Sequence, residues 1–317
     1  MSMPRLEKEA KVADFGNGSY AWIQPTGGWG YANAGLVTSD GEALLIDTLF
    51  DQPFTRAMLD GFRRASDAKI RTVFNTHQNG DHWFGNALVE DAEIVATARA
   101  AAAMKHELPF RLAQFLKAAP YLGATGEFFV HCFGQYDFAG CEARFPDCTF
   151  SGGLTRVVGA KTVELIEVGP AHTGGDAIAC VPADRTVFTG DILFIDGHPV
   201  IWAGPVGNWI AACEQIAAMD ADVIVPGHGP VTDKAGVARV AQYLNYIRDE
   251  AKTRHDAGMP ALEAARSIAL DDYANWGDAE RIAVNVATLY REFGDQDAPS
   301  DAAVLFGWMA QLWKDKR

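Results

Sequence analysis

The chain has 317 residues, enough to bury a core without disulfide or metal staples, and length alone suggests about two domains. Lys plus Arg number 27 against 41 Asp plus Glu, a net charge of −14 at pH 7. That balance repels polyphosphate and no basic stripe offsets it, so no nucleic-acid partner is expected. With 49% hydrophobic and 21% charged residues, general disorder is excluded as well.

The opening MSMPRLEKEAKVADF carries charges but no apolar core or small-residue cleavage site, so a signal peptide is not expected. The longest uncharged stretch, Gly197 to Cys213, contains Pro199, Pro205 and Asn208. It reads as loop and helix start, and no membrane span is expected. Five cysteines (Cys132, Cys141, Cys148, Cys180, Cys213) are odd in number and form no C-x-x-C pair. They support neither a disulfide framework nor thiolate-bound zinc. The expected location is the cytoplasm.

In chain order, Ser19–Gln24, Trp29–Val37 and Ala43–Asp47 read as a β-meander separated by Gly-rich turns. A helix follows from Gln52 to Ala65, with Phe54, Met58, Leu59 and Phe62 near helical spacing. Ile70–Asn75 is a strand that runs into the polar stretch His77–His82. A helix start at Asn86, a strand Glu93–Ala96 and one long Ala-rich helix from Thr97 to Lys117 come next. Residues 118–149 show no sustained period and read as an irregular excursion. Strand patterns return at Arg156–Val158, Thr162–Val168, Ala177–Val181, Arg185–Phe188 and Val223–Val225, with a helix over Trp209–Met219 before the last. From Asp233 the period is helical throughout. Strands and helices thus interleave for about 230 residues before an all-helical tail, which favours one α/β domain with an appendage. The expected division is a sandwich over 1–231 and a helical extension over 232–317.

Four of the eight His lie at or just after predicted strand ends: His77, His82, His172 in GPAHTGGD and His228 in PGHGP. Asp81 and Asp191, the latter in FTGD, share that setting. Imidazole and carboxylate are the ligands that zinc or iron accepts without thiolate. A lone loop histidine is usually a hydrogen-bonding or solvated residue, and His106, His131, His198 and His255 are read that way. A lone Asp is usually a cap or turn residue. Four His and two Asp, each in a Gly-flanked turn after a strand, are hard to explain by structure alone.

The run THQNGDH, AHTGGD, TGDILF and PGHGP, in this order, resembles the metallo-β-lactamase fold superfamily, whose signature is H-x-H-x-D-H followed by a separate His, Asp and His. The resemblance spans Asp14 to Val231. It implies a four-layer αβ/βα sandwich with metal, zinc by preference, at one edge of two facing sheets. By position, His77 and His172 would bind a first metal, Asp81, His82 and His228 a second, and Asp191 would bridge them. Asp47 matches an Asp that steadies the site from behind. The departure is Asn79, where the family expects His. Either the first position is weak and one zinc works in the second, or Asn79 or a water completes a pair.

A different chemistry is also open. His77, His172 and Asp191 form a two-His, one-carboxylate set like that of Fe(II) oxygenases, and a persulfide dioxygenase branch of the same superfamily uses these positions. That branch keeps the middle His of the motif, which counts against it here. With zinc the resemblance implies hydrolysis, the attacking hydroxide oriented by Asp81 or Asp191. The bond would be an ester, lactone, thioester or amide in a small apolar or aromatic substrate. A hydrolytic dehalogenase is a looser analogy, and a non-catalytic binding protein is the remaining class. No Lys or Arg stands where a β-lactam carboxylate clamp would be obvious. Trp29 and Trp202, in Gly- and Pro-rich loops, are the candidates for substrate contact. The tail carries Val304, Leu305, Trp308, Met309, Leu312 and Trp313 at helical spacing. It would either cap the pocket or support a homodimer, or simply form intrachain core.

Overall fold

The computed structural model describes residues 9–315. The first eight residues, on which part of the signal-peptide expectation falls, lie outside the described residues. No described helix is long and apolar enough to cross a membrane. The chain begins with four antiparallel strands, β1 (Lys11–Asp14), β2 (Ser19–Ile23), β3 (Ala34–Ser39) and β4 (Glu42–Ile46). Asp40 and Gly41 close the β3–β4 hairpin with φ of 50° and 79°, the left-handed pair that a two-residue turn needs.

Helix α1 (Gln52–Ala65) then crosses to β5 (Lys69–Phe74), parallel to β4. Asp51 caps it by accepting from Phe54 N at 2.9 Å, and Phe54, Met58, Leu59 and Phe62 form its buried stripe. β6 (Glu93–Thr97) and β7 (Cys148–Phe150) extend the parallel part and complete a seven-stranded sheet. The second sheet holds β8 (Gly153–Val158), β9 (Lys161–Glu167), β10 (Ala177–Val181), β11 (Thr186–Phe188) and β12 (Val223–Val225), in the order β12-β11-β10-β9-β8.

Between β6 and β7 lie α2 (Ala98–Met104), α3 (Pro109–Ala118) and α4 (Gly123–Phe133). α5 (Val206–Ala218) precedes β12, and α6 (Lys234–Asp256), α7 (Ala261–Ser267), α8 (Ile282–Glu292) and α9 (Ala302–Asp315) follow it. Side-chain alternation explains the layering. Leu44 and Ile46 of β4 meet Val163, Leu165, Ala179 and Phe188 between the sheets, while Ala43 and Leu45 face the other way into the helices. Both faces of the strand are buried, which is the αβ/βα sandwich expected. The helix-side cluster continues from α1 through α6 and α8 to Leu305, Met309 and Leu312 of α9.

Three local expectations are corrected. The helix read from Thr97 to Lys117 is broken at 105–108, because Pro109 forces Leu108 out of helical geometry (φ −99°, ψ 140°). The excursion over 118–149 contains α4, whose helical pattern is diluted by Gly123 and Gly126. The strand read from Trp29 starts only at Ala34, so Trp29 stands in a loop.

Candidate metal centre

The sandwich brings six predicted residues to one edge, each from a loop at a strand end. His77 follows β5, and Asp81 and His82 sit in the single turn Gly80–His82. His172 lies between β9 and β10, Asp191 just after β11 and His228 just after β12. Four imidazole Nε2 atoms converge on the Asp191 carboxylate. His82 stands 3.1 Å from Oδ1, and His172, His228 and His77 stand 3.3, 3.4 and 3.7 Å from Oδ2. Asp81 Oδ2 lies 3.4 Å from His228 Nε2 and 3.9 Å from His82 Nε2. Two triads, His77–His82–Asp191 and Asp81–His82–His228, each place their ligand atoms within 4.8 Å of one another.

Hydrogen bonds at the far side of three rings decide their tautomers. His172 Nδ1 lies 2.7 Å from Val200 O, which can only accept, so Nδ1 carries the proton. His82 Nδ1 donates to Asp47 Oδ2 at 2.8 Å. Thr76 Oγ1 gives its own proton to Asp47 Oδ2 at 2.8 Å, so it accepts from His77 Nδ1 at 3.0 Å. All three rings therefore turn an Nε2 lone pair toward Asp191. His77 Nε2, His82 Nε2 and Asp191 Oδ1 are buried with no hydrogen-bond partner. Buried orphan acceptors facing one another are costly unless a cation lies among them, so the set fits a divalent metal.

The electrostatics agree. Burial holds His77 well below the usual imidazole range and pushes His172 down to about 4. Burial also opposes charge on His82 and His228, but the surrounding carboxylates outweigh it. Asp191, Asp47 and Asp81 hold His82 well above its ordinary value, and Asp191 with Asp81 lifts His228 to about 8. Asp191, though buried, is held well below the carboxylate range by His228, His82 and His77. The carboxylates that would face a cation thus favour the protonated forms of His82 and His228.

Glycines set the approach distances. A Cβ on Gly227 would stand 2.0 Å from Asp191 Oδ1. Gly190 has φ of 49° and packs on Thr76, so the Asp191 turn needs a residue without a side chain there.

Asn79 points its Oδ1 at His172 Nε2, 2.8 Å away, and donates from Nδ2 to Glu107 Oε2 at 3.1 Å. Burial pushes the Glu107 carboxyl up to about 7. Above this edge lies a cavity of about 400 Å³. Its walls include Trp29, Phe84, Phe133, Trp202 and Phe306, and Asp81, Asp191, His172 and His228 form its floor. Trp29 and Trp202, picked from sequence, both line it, with ring centroids 6.4 Å apart. Phe306 of α9 stacks on Trp202 at 6.2 Å and 19°.

Sequence reasoning missed several supporting residues. Buried Asp176 accepts from the backbone N–H groups of Ala171 and Thr173 and so pins the His172 loop from both sides. Asn33 donates to Pro226 O and Gly229 O across the His228 turn. Arg281 lies between the rings of Trp29 and Phe194, 4.3 and 5.2 Å from their centroids, and Phe194 stacks on His228. The Asp that ends AHTGGD was a visible signal for Asp176; Arg281, in the tail, had none.

The sequence profile of the metallo-beta-lactamase superfamily matches residues 27–228. A linear primary-alkylsulfatase of Pseudomonas sp. is 24% identical over 236 residues, 67% of this chain and 44% of that protein. A hydroxyacylglutathione hydrolase of Brucella ovis is 26% identical over 170 residues, 51% of this chain and 63% of its own length. The chain therefore spans about half the length of the curated relatives it matches. Among solved structures, the inverting sec-alkylsulfatase Pisa1 from Pseudomonas sp. superposes with a TM-score of 0.66 at 14% identity, covering 93% of this chain and 51% of that one.

Proposed function

Because the chain belongs to the metallo-beta-lactamase superfamily, we propose that it is a metal-dependent hydrolase of a small substrate with an apolar or aromatic body, cleaved at an ester, lactone, thioester or amide bond. One observation carries the reading: buried, tautomer-fixed imidazoles turn unpartnered Nε2 atoms onto one carboxylate at the floor of an aromatic cavity. His77, His172 and Asp191 would hold one metal, with Asn79 beside them. Asp81, His82 and His228, sharing Asp191, would hold a second. Zinc in such a set lowers the pKa of water from 15.7 to about 7 and polarises a substrate oxygen.

The protein's own groups do the rest. Asp81 lies at the cavity floor and its carboxyl is held below its ordinary range by His82 and His228, although burial opposes this. It is ionised at neutral pH and suited to take the proton of the attacking water. Asp191 is enclosed by imidazoles and serves as a ligand first. Trp29, Trp202 and Phe306 bind the apolar body and limit the water that reaches the bond. Arg281 keeps the Trp29 and Phe194 rings in place by stacking between them.

The test is metal content of protein purified without added metal, followed by hydrolysis of aryl and alkyl carboxylic esters, lactones, thioesters and amides. Alkyl sulfates belong in the panel, since the alkylsulfatase fold extends over the helical tail as well. Zinc in the purified protein and turnover that Asp191→Asn abolishes are expected. Protein holding neither zinc nor iron would overturn the proposal. One iron per chain, with O₂ consumed alongside a persulfide, would replace it with the dioxygenase reading.

A further inference from the structure

Glu107 belongs to no metal motif, yet its carboxylate reaches the one motif position at which the chain departs from H-x-H-x-D-H. We infer that Glu107 is a positioning residue that locks the Asn79 amide with its oxygen toward His172, making Asn79 Oδ1 a neutral ligand for a first metal ion. The inference rests on the metal-hydrolase reading and adds to it a fourth ligand atom and the group that orients it.

The geometry requires this polarity. Asn79 Oδ1 and His172 Nε2 are 2.8 Å apart, and His172 Nδ1 has already committed the ring's proton to Val200 O at 2.7 Å. Neutral His172 thus faces Asn79 lone pair to lone pair, an arrangement that repels unless a cation is shared between the two atoms. Asp191 Oδ2, 3.3 Å from the same Nε2, turns a third acceptor toward this point. Rotating the amide by 180° would relieve the repulsion, but it would set Asn79 Oδ1 against the ionised form of Glu107, the form that the Asn79 N–H favours. The Gln78 side chain, from the residue before Asn79, also favours the ionised form of Glu107. The Asn79 amide offering its N–H to this carboxylate marks Glu107 as the acceptor of the pair.

The chemistry that follows differs from that of a three-imidazole pocket. An amide oxygen is a weaker zinc ligand than imidazole. Donation from Asn79 Nδ2 to a carboxylate draws electron density toward Oδ1 and partly offsets the weakness. Glu107 stands in the break between α2 and α3, so an element outside the sandwich edge sets the affinity of the first position.

The experiment is zinc binding to the whole protein, read as stoichiometry and as affinities in competition with a chromophoric chelator. Two zinc ions per chain are expected for the wild type, one of them weaker. Glu107→Gln should weaken that ion by about 10–100-fold and leave the other unchanged, because loss of an orienting partner commonly costs that much. The retained ion and an unchanged far-UV spectrum show that the variant is folded. Asn79→Asp combined with Glu107→Gln reverses the hydrogen bond and keeps an oxygen toward His172, so it should restore the second equivalent. Cobalt substitution gives a further readout, with the absorption of the weaker site lost in Glu107→Gln and regained in the double variant. Two ions with unchanged affinities in Glu107→Gln would overturn the role of Glu107 alone. A single ion in the wild type would overturn Asn79 as a ligand and leave the hydrolase reading standing. No bound metal would overturn both.

Discussion

Asp47 lies behind His82 directly and behind His77 through Thr76, and Asp47→Asn is an informative change to the site. Its Oδ1 accepts from Thr76 N at 2.8 Å, and its Oδ2 accepts from Thr76 Oγ1 and His82 Nδ1, each at 2.8 Å. The asparagine is nearly isosteric, and its oxygen can keep the Thr76 N bond. Its NH₂, however, faces two groups that also donate. The Thr76 hydroxyl can rotate, but the neutral imidazole that a metal needs would keep its one proton on Nε2 instead of Nδ1. That proton then occupies the atom 3.1 Å from Asp191, where a metal lone pair is needed. Loss of such an outer partner typically lowers metal affinity by about 10–100-fold, or about 1.4–2.7 kcal/mol. The second metal position, which contains His82, should bear this loss. His77 is reached only through Thr76 and should change less. Zinc titration of wild-type and Asp47→Asn protein against a competing chelator measures it. Affinities within twofold of each other, with an intact far-UV spectrum, would refute the tautomer argument on which the site was built.

Gly227→Ala places a Cβ 2.0 Å from Asp191 Oδ1. The turn must shift at a cost of about 1–3 kcal/mol, and thermal melting together with zinc content should both report a loss. Phe306→Ala removes one wall of the cavity without touching a ligand atom. With a Phe side chain worth about 1.5–3 kcal/mol when fully buried, and this one half-buried, KM for an apolar substrate should rise about 10-fold while kcat changes little. In metal-free protein His82 is held well above its usual range and His228 at about 8, so both are protonated at pH 7. Zinc binding at pH 7 should then release about two protons and weaken as pH falls, which calorimetry in buffers of different ionisation enthalpy would detect. Binding without proton release would contradict these assignments.

The floor of the site was legible because each candidate ligand sits in a turn whose chemistry is local. A strand end, a glycine and a His or Asp occur together at 77–82, 172, 191 and 228, and the sandwich needs only to bring four such ends to one edge. The strands were legible for the same reason, although β1 and β7, short pieces at the two edges of the first sheet, lacked a period long enough to stand out. What could not be read is whatever depends on contacts distant in sequence. Asn33 spans 193 residues to hold Pro226, and Arg281 reaches back to Trp29 from beyond the sandwich strands.

Glu107 was hidden differently, and its case says most about how the site is built. The Ala-rich run over 97–117 reads from composition as one helix, and Glu107 draws no attention within it. The Leu108-Pro109 step was the contrary signal: a residue before proline avoids helical geometry, and the break turns Glu107 toward Asn79 instead. The same region supplies Phe133 of α4, and the tail supplies Phe306 of α9, to the walls above the ligands. The candidate ligands thus come from strand ends, while the walls and the partner of Asn79 come from the helical segments between and beyond them. A different packing of α2–α4 against α9 would reshape these walls and leave the proposed ligand set untouched.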